Sequence, residues 1–136
     1  MKVAQVKTNP YSGSDYSELY PQARKLYNQI KGQTKRQPYV RSKYFDGQKV
    51  FIELFWIHLN QKTPKERRKR IKFYSCGIEL LRETRQQPTT KKSLTKKGEL
   101  LHRFAGVTPL GDLFYIQVKE NTKTKRRDLM SIFSTK

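Results

Sequence analysis

The chain contains two histidines, His58 and His102, among 136 residues that include 30 Lys and Arg. Imidazole is the side chain whose ordinary pKa best suits proton transfer at neutral pH. A positive environment lowers the pKa of an imidazole and favours the neutral ring, which can act as a base. Both histidines lie beside Leu and Phe, where a hydrogen-bonded structural role is the ordinary alternative. We therefore treat both as candidate acid–base groups and keep that alternative open.

The overall charge indicates the class of partner. The formal net charge is +19, with only 11 Asp and Glu, and the pI is near 10.2. A small body with this charge repels itself, and a bound polyanion relieves the repulsion. Basic clusters at 65–72, 91–97 and 123–127 exceed what eleven acids can neutralise. The sequence therefore predicts a nucleic acid partner held through its phosphates, although each cluster alone is also typical of a solvated surface.

Two predicted strands interleave aromatic, polar and basic side chains. Because strand side chains alternate with period two, Arg41 and Lys43 share a face, as do Tyr115, Gln117 and Lys119. Such faces can stack bases and hold phosphates, and a merely polar solvent side explains the pattern equally well. The residues predicted to contact nucleic acid are Arg41, Lys43, Lys65, Arg68, Lys69, Lys72, Gln117, Lys125, Arg126 and Arg127.

Few residue types suited to metal or cofactor binding occur. Cys76 is the only cysteine, which excludes an intramolecular disulfide and a cysteine-based zinc cluster. The carboxylates form no D-x-D or E-x-K core of the kind used by magnesium-dependent nucleases. Neither a Walker A motif nor the glycine-rich dinucleotide motif is present. We expect no metal and no cofactor, and RNA cleavage needs neither, because the ribose 2′-OH is an internal nucleophile.

Length and hydropathy favour a single basic domain over 1–136, with a loose polar lead-in at about 1–13. No apolar run reaches the roughly 18–20 residues that a bilayer span requires. The N-terminus lacks the apolar centre of a secretion signal. We therefore expect a cytoplasmic protein with no membrane partner.

Apolar periodicity predicts helices in the first two thirds of the chain. Steps of three and four residues predict a helix over 17–31 that stops at Gly32. Asp46-Gly47 predicts a hairpin between β-prone runs. A short helical turn follows at 55–59. The Thr63-Pro64 start, with Glu66 at the third helical position, predicts one helix running to about Glu83.

The last third reads as an antiparallel meander with strands at 99–107, 113–120 and 128–133, after a basic loop ended by Gly98. In the middle strand, the apolar residues at 114, 116 and 118 alternate with polar ones. In the last strand, Met130 and Ile132 should share a face with Ser131 opposite. The expected fold class is α+β, with N-terminal helices packed on a four- or five-stranded antiparallel sheet.

The order of these motifs resembles the phage-associated branch of the barnase–EndoU–colicin–RelE-like nuclease superfamily. The similarity covers roughly 39–134. It is carried by Trp56-Ile57-His58 before a basic helix, by Leu101-His102-Arg103-Phe104, by Phe114-Tyr115-Ile116-Gln117-Val118-Lys119-Glu120 and by Leu129-Met130-Ser131-Ile132-Phe133. Members of that superfamily place helices before a four-stranded antiparallel sheet and cleave RNA without metal.

The resemblance implies a catalytic set. His58 matches the helix histidine, and His102 with Arg103 matches the first core strand. Lys119 matches the middle strand and Ser131 the last strand. The implied roles are the two histidines as base and acid, Arg103 and Lys119 on the phosphate, and Ser131 orienting a phosphate oxygen.

The leading interpretation is a metal-independent ribonuclease, a toxin or mobile-element effector, that cleaves RNA by 2′-OH attack. A toxin of this type needs an acidic inhibitor or antitoxin protein, which a surface of +19 would attract quickly. The main alternative is a non-catalytic RNA- or DNA-binding module. A structural domain whose charge only keeps it soluble is the third.

Overall fold

A computed structural model describes residues 2–135. These residues form four α-helices and seven strands, which confirms the α+β class. In chain order the elements are β1 (Val3–Gln5), α1 (Tyr16–Gly32), β2 (Tyr39–Ser42), β3 (Gln48–Phe51), α2 (Glu53–Asn60), α3 (Pro64–Ile71), α4 (Tyr74–Glu83), β4 (Thr89–Lys92), β5 (Glu99–Val107), β6 (Leu113–Asn121) and β7 (Arg127–Ser134). No helix among these residues has the length and apolar character to cross a membrane.

The sheet is larger than predicted, and it is mixed. Its strand order is β1-β5-β6-β7-β3-β2, and β4 also pairs with β5. The β5–β6–β7 meander is antiparallel and close to the bounds expected from the sequence, and the antiparallel β2–β3 hairpin forms around Asp46-Gly47 as predicted. The pairs β1–β5 and β3–β7 are parallel. Parallel pairs join segments far apart in the chain, so local sequence patterns do not predict them.

The first residues are more ordered than the loose lead-in we expected. β1 pairs with residues 105–107 of β5. The carboxylate of Glu79 in α4 accepts hydrogen bonds from the backbone N–H groups of Lys7 and Thr8, at 2.7 and 3.0 Å. The prediction of a loose segment is therefore wrong for these residues, because α4 supplies a remote acceptor that the local sequence does not reveal.

The single helix predicted over 63–83 is two helices, α3 and α4, that break at Lys72 and Phe73. Thr63 caps α3 as expected, since its side chain accepts from the N–H of Glu66. In one continuous helix, Ile71 and Phe73 would point about 200° apart, because each residue turns by about 100°. The break lets both side chains enter the core, where Phe73 stacks on Phe114.

A strand also occupies part of the region predicted as a basic loop. β4 pairs with Leu100 to Arg103 of β5 in antiparallel register. The remaining loop is residues 93–98, and it ends at Gly98, whose φ of +81° suits glycine. Lys91 therefore lies on a strand at the edge of the sheet rather than on a free loop.

The sheet has a helix-packed face and an open face, which the alternation in β6 predicts correctly. The helix-packed face carries Phe104, Phe114, Ile116, Val118 and Ile132, all buried against the core. The open face carries the side chains that alternate with them and are exposed or partly exposed, Arg103, Tyr115, Gln117, Lys119, Ser131 and Phe133.

A β-bulge in β7 changes which residue of the last strand faces the core. The β6–β7 register shifts between Gln117 and Val118, so Leu129 pairs with Val118 and Ser131 with Gln117. Met130 is the extra residue between these two pairs. Leu129, rather than the expected Met130, therefore lies on the helix-packed face with Ile132.

Candidate functional site

The two histidines lie on different faces of the sheet. His102 in β5 is opposite Val118, on the helix-packed face, and its residue surface is 7 % exposed. Its Nε2 is 2.9 Å from Glu120 Oε1, and its Nδ1 is 2.8 Å from Thr90 Oγ1. Both ring nitrogens are therefore engaged within the protein, and they tie β5 to two of its neighbours, β4 and β6.

A buried charge network surrounds His102. Arg127 Nε donates to Glu120 Oε1 at 3.1 Å, and the Arg127 guanidinium lies 4.3 Å from the centroid of the Phe45 ring. Phe45 packs edge-on against the His102 ring. Burial raises the pKa of Glu120, but the hydrogen bond from His102 and the charge of Arg127 outweigh it and hold that pKa below its ordinary value. This network joins strands and offers no free acid–base group.

His58 lies at the border of the open face, where α2 runs beside β7. Phe55 and Leu59 of α2 are buried in the core, and His58 shares a crevice with them, Met130 and Ser131. The helix follows β3 directly, and β3 pairs with β7 at Asp128. The chain thus enters α2 next to β7, which places the histidine against the bulged part of that strand.

Electrostatics favour the neutral form of His58. Burial lowers its pKa, and the charges of Lys62 and Lys119 lower it further, whereas hydrogen bonding to the backbone of Met130 acts in the opposite direction. The net effect is a pKa below the ordinary value, so the ring is uncharged at neutral pH. A neutral imidazole can accept a proton.

A polar row crosses the open face from β5 to β7. Arg103 is opposite Gln117, and Gln117 is opposite Ser131. The Arg103 Nη2 lies 3.4 Å from Gln117 Oε1. Neighbouring strands are about 4.8 Å apart, so the row spans about 10 Å between the outer backbones. That width suits a backbone phosphate with its flanking sugars.

Aromatic rings and cations extend this row. Tyr115 and Phe133 stack with ring centroids 5.5 Å apart. The guanidinium carbons of Arg103 and Arg70 lie 5.3 and 5.6 Å from the Phe133 centroid. Arg70 comes from α3, so helix and sheet contribute cations to the same ring. The arrangement offers stacking surface and positive charge side by side.

Lys119 connects the row to the histidine. It is opposite Leu101 and Asp128 in the sheet register, and its Nζ is 3.9 Å from Glu99 Oε2. Its ammonium is near enough to His58 to lower the pKa of that imidazole. A phosphate bound between the two side chains would meet a neutral base on one side and a cation on the other.

The structure thus places five of the predicted site residues around the open face and separates others from it. The five are His58, Arg103, Gln117, Lys119 and Ser131. His102 and Arg127 lie in the buried network instead. Lys43 follows the end of β2 and contacts Glu83, so it does not share a strand face with Arg41 as we expected.

The remaining predicted cations lie on and just after α3 and in the β6–β7 turn. Lys65 and Arg68 are exposed on α3, whereas Lys69 and Lys72 are partly buried. Arg126 bonds to Asp128, and Lys125 is exposed in the β6–β7 turn. None of these contacts tests whether nucleic acid binds, so their roles stay predictions.

Sequence reasoning missed two cations beside the site, Arg70 and Lys62. Both line the crevice that contains His58. Lys62 follows the histidine by four residues, just beyond the end of α2, so closeness in sequence was a usable signal. Arg70 reaches the crevice only because α3 folds back along β7, and no local pattern predicts that contact.

Within residues 2–135, no three His, Cys, Asp or Glu side chains are grouped so as to hold a metal ion. No protein-family model, curated protein or solved structure matches the chain. The resemblance to the nuclease superfamily therefore stays a prediction, and the functional conclusion depends on the geometry of the open face.

Proposed function

We propose that this protein is a metal-independent endoribonuclease that binds single-stranded RNA across the open face and cleaves it with His58 as the base. The observation that carries the proposal is a lone imidazole of lowered pKa beside Ser131 and near Lys119, at the border of a cationic sheet face. The expected substrate is a cytoplasmic RNA. Binding uses the phosphates first, because a protein of charge +19 gains most of its affinity from them.

The proposed reaction is attack by the ribose 2′-oxygen on the adjacent phosphorus. His58 takes the 2′-OH proton as the new O2′–P bond forms and the P–O5′ bond breaks. The products are a 2′,3′-cyclic phosphate and a free 5′-OH. The Lys119 ammonium supplies the proton to the leaving 5′-oxygen, and Arg103 stabilises the charge on the phosphate oxygens. Ser131 orients one of those oxygens.

Base recognition in this proposal uses the stacked pair of Tyr115 and Phe133. Unpaired bases stack on aromatic side chains and on guanidinium planes, and both types lie together here. The side-chain amide of Gln117 can donate to and accept from a base edge. A single strand fits better than a duplex, because stacking requires bases that are not already paired.

A role as toxin or mobile-element effector accounts for both the activity and the charge. An enzyme that degrades RNA in the cell that makes it must be held inactive. An acidic inhibitor or antitoxin protein would associate quickly with a surface of +19 and cover the open face.

The second candidate function is a non-catalytic RNA- or DNA-binding module. One observation favours it, which is that the open face has a single imidazole where two were expected. His102 is committed to Glu120 and Thr90. Binding needs only the cations and aromatic rings of the face, and they suffice without an acid–base pair.

The test is cleavage of end-labelled RNA by purified protein in excess EDTA. We expect fragments ending in 2′,3′-cyclic phosphate, and we expect His58→Gln to slow cleavage by about 100-fold or more, the usual range for a lost general base. Asn60→Ala, an exposed change on the same helix, is the matched control and should cleave like wild type. RNA with a 2′-deoxy scissile nucleotide should stay whole.

Two results would overturn the ribonuclease proposal. One is RNA that shifts on a gel, with steep dependence on salt, yet stays intact with the wild-type protein. That result would establish the binding module instead. The other is His58→Gln protein that cleaves as fast as wild type, which would exclude the histidine as the base.

A further inference from the structure

A second cationic and aromatic surface lies where the β2–β3 hairpin meets the β6–β7 turn. We call it the hairpin patch. It consists of Tyr39, Arg41, Lys49, Phe51, Lys125 and Arg126. In the hairpin register, Tyr39 pairs with Phe51 and Arg41 with Lys49, so these four side chains share one side of the hairpin. A shallow, open depression of about 440 Å³ lies between the hairpin and the turn.

Both rings of the patch already contact cations. The Arg126 guanidinium lies 4.1 Å from the Phe51 centroid, and the Lys49 ammonium lies 4.6 Å from the Tyr39 centroid. The two rings pack edge to face, with centroids 6.1 Å apart. A guanidinium stacked on a ring presents its other side to solvent, and RNA bases stack on such planes as they do on aromatic rings.

The patch has more positive charge than the protein neutralises. Arg126 bonds to the carboxylate of Asp128. Among residues 2–135, no carboxylate lies within 4 Å of the charged groups of Arg41, Lys49 or Lys125. Three neighbouring cations without an acidic partner repel one another, and a chain of phosphates would relieve that repulsion.

The sheet register connects the patch to the open face. Phe51 is opposite Asp128, and Asp128 is opposite Lys119, so the ring lies on the same side of the sheet as that lysine. Asp128 and Ser131 pair with Lys119 and Gln117, which are two residues apart in β6, so they lie about 7 Å apart along the sheet. A single strand bound at His58 therefore reaches the patch within a few nucleotides.

We propose that the hairpin patch is a second RNA subsite, which holds the single-stranded segment next to the one that lies over the open face. The inference rests on the proposed function in taking RNA as the ligand, and it does not require that the RNA be cleaved. Base stacking at the rings and phosphate contacts at the free cations supply the affinity. The consequence is that RNA binding depends on length, because only longer strands reach both surfaces.

Binding of 2′-O-methyl oligonucleotides of 4 and 14 nucleotides tests this, since a blocked 2′-oxygen prevents cleavage. The variant is Arg41→Gln/Lys49→Gln/Lys125→Gly. Lys125 has a φ of 65°, where glycine is unstrained, so its charge is removed without harm to the turn. The control also removes three exposed positive charges, through Lys7→Gln/Lys25→Gln/Lys31→Gln.

We expect the patch variant to bind the 14-mer about tenfold or more weakly and the 4-mer nearly as wild type does. The slope of log K against log salt for the 14-mer should fall by about 2, since each phosphate contact on a single strand contributes about 0.7. The control variant should weaken both lengths by the same small factor. Circular dichroism confirms that both variants are folded.

The inference would be overturned if the patch variant lost the same factor in affinity for the 4-mer and the 14-mer, or if the patch and control variants lost equal affinity. Either result would mean that the patch contributes only nonspecific positive charge. Failure of the two proposals can be told apart. A wild-type protein that cleaves RNA without length-dependent binding contradicts the second subsite alone. One that binds in a patch-dependent way and never cleaves contradicts the ribonuclease proposal alone.

Discussion

The two faces of the β5–β6–β7 sheet hold the same residue type in opposite circumstances. On the helix-packed face, both nitrogens of His102 bond to protein groups and the ring is buried. At the border of the open face, His58 is partly exposed, and the charges of Lys62 and Lys119 act on its imidazole. The residue type therefore assigns no role. The partners and the exposure of the side chain do, because the ring of His102 is both buried and bonded to protein groups, whereas the ring of His58 is partly open to a ligand.

The cations of the two faces differ in the same way. Arg127 on the helix-packed side is held by Glu120 and by Gln48. Arg103 on the open face contacts an amide and an aromatic ring, and no carboxylate in residues 2–135 forms an ion pair with it. Arg127 thus joins strands, whereas the charge of Arg103 is left for a ligand. Substitutions on the helix-packed face should therefore mainly lower the free energy of unfolding, whereas substitutions on the open face should mainly affect RNA binding and cleavage.

The largest effect on stability should come from His102→Ala. It removes two buried hydrogen bonds and leaves Glu120 with less compensation for its burial, which should lower the free energy of unfolding by about 2–4 kcal/mol. His58→Ala, at a partly exposed position, should change it by less than about 1 kcal/mol. Urea denaturation of the two variants beside wild type measures both values.

His102→Gln is the informative intermediate, since its amide can restore one of the two bonds. It should lie between wild type and the alanine variant. If His102→Ala unfolds at the wild-type urea midpoint while His58→Ala loses several kcal/mol, the contrast between the faces is wrong.

Close packing on the helix-packed face predicts the next largest effect. A Cβ on Gly77 of α4 would lie 2.5 Å from Ile132 Cδ1 of β7. Gly77→Ala should therefore destabilise the protein by about 1–3 kcal/mol, the usual cost of overpacking a core. The midpoint and slope of urea unfolding measure it.

Gly32→Ala provides the matched control for this substitution. It lies at the exposed end of α1, and its added Cβ would meet nothing within 4 Å. Gly32→Ala should raise the free energy of unfolding by up to about 1 kcal/mol, because alanine loses less backbone entropy than glycine on folding. Equal effects at the two glycines would mean that α4 does not pack on the sheet as described.

Local patterns predicted the parts of the fold whose contacts are local. The periodicity of α1, the Asp46-Gly47 turn and the β5–β6–β7 meander are confirmed within a few residues. The parallel strand pairs and the break at Phe73 were not predicted, because each depends on where a remote segment packs. The bulge at Met130 shifted the last strand for a similar reason, since register follows from both strands together.

The candidate site was predictable to the same extent. Alternation placed Gln117 and Lys119 correctly on the polar side of β6. It also held a usable signal for His102, since Arg103 is best placed toward solvent and period two then turns its neighbour inward. The prediction of a catalytic His102 runs against this signal, because it rests on the residue type and on the resemblance to the nuclease superfamily. The approach of His58 to Ser131 depends on the path of α2 and could not be read from spacing.

The smallest predicted effect concerns the charge beside His58. Lys62 lies four residues after the histidine, just beyond the end of α2, and its charge acts with burial and Lys119 to lower the pKa of the imidazole. Lys62→Gln removes one of these causes, so the pKa of His58 should rise. The base must be neutral to act, and the acid limb of the cleavage rate should therefore move to higher pH. Cleavage profiles between pH 4.5 and 8, together with an NMR titration of His58, measure the two shifts.

The cleavage profile and the NMR titration together test whether His58, at the open face, is the base. If the kinetic limb and the His58 titration move upward together, the imidazole at the open face controls the reaction. If the titration moves and the limb stays, another group limits the rate and His58 is not the base. Lys25→Gln removes an exposed charge that is not among the causes of the lowered pKa of His58, so it should shift neither curve. A shift in that control equal to the shift in Lys62→Gln would assign the effect to overall charge rather than to the crevice.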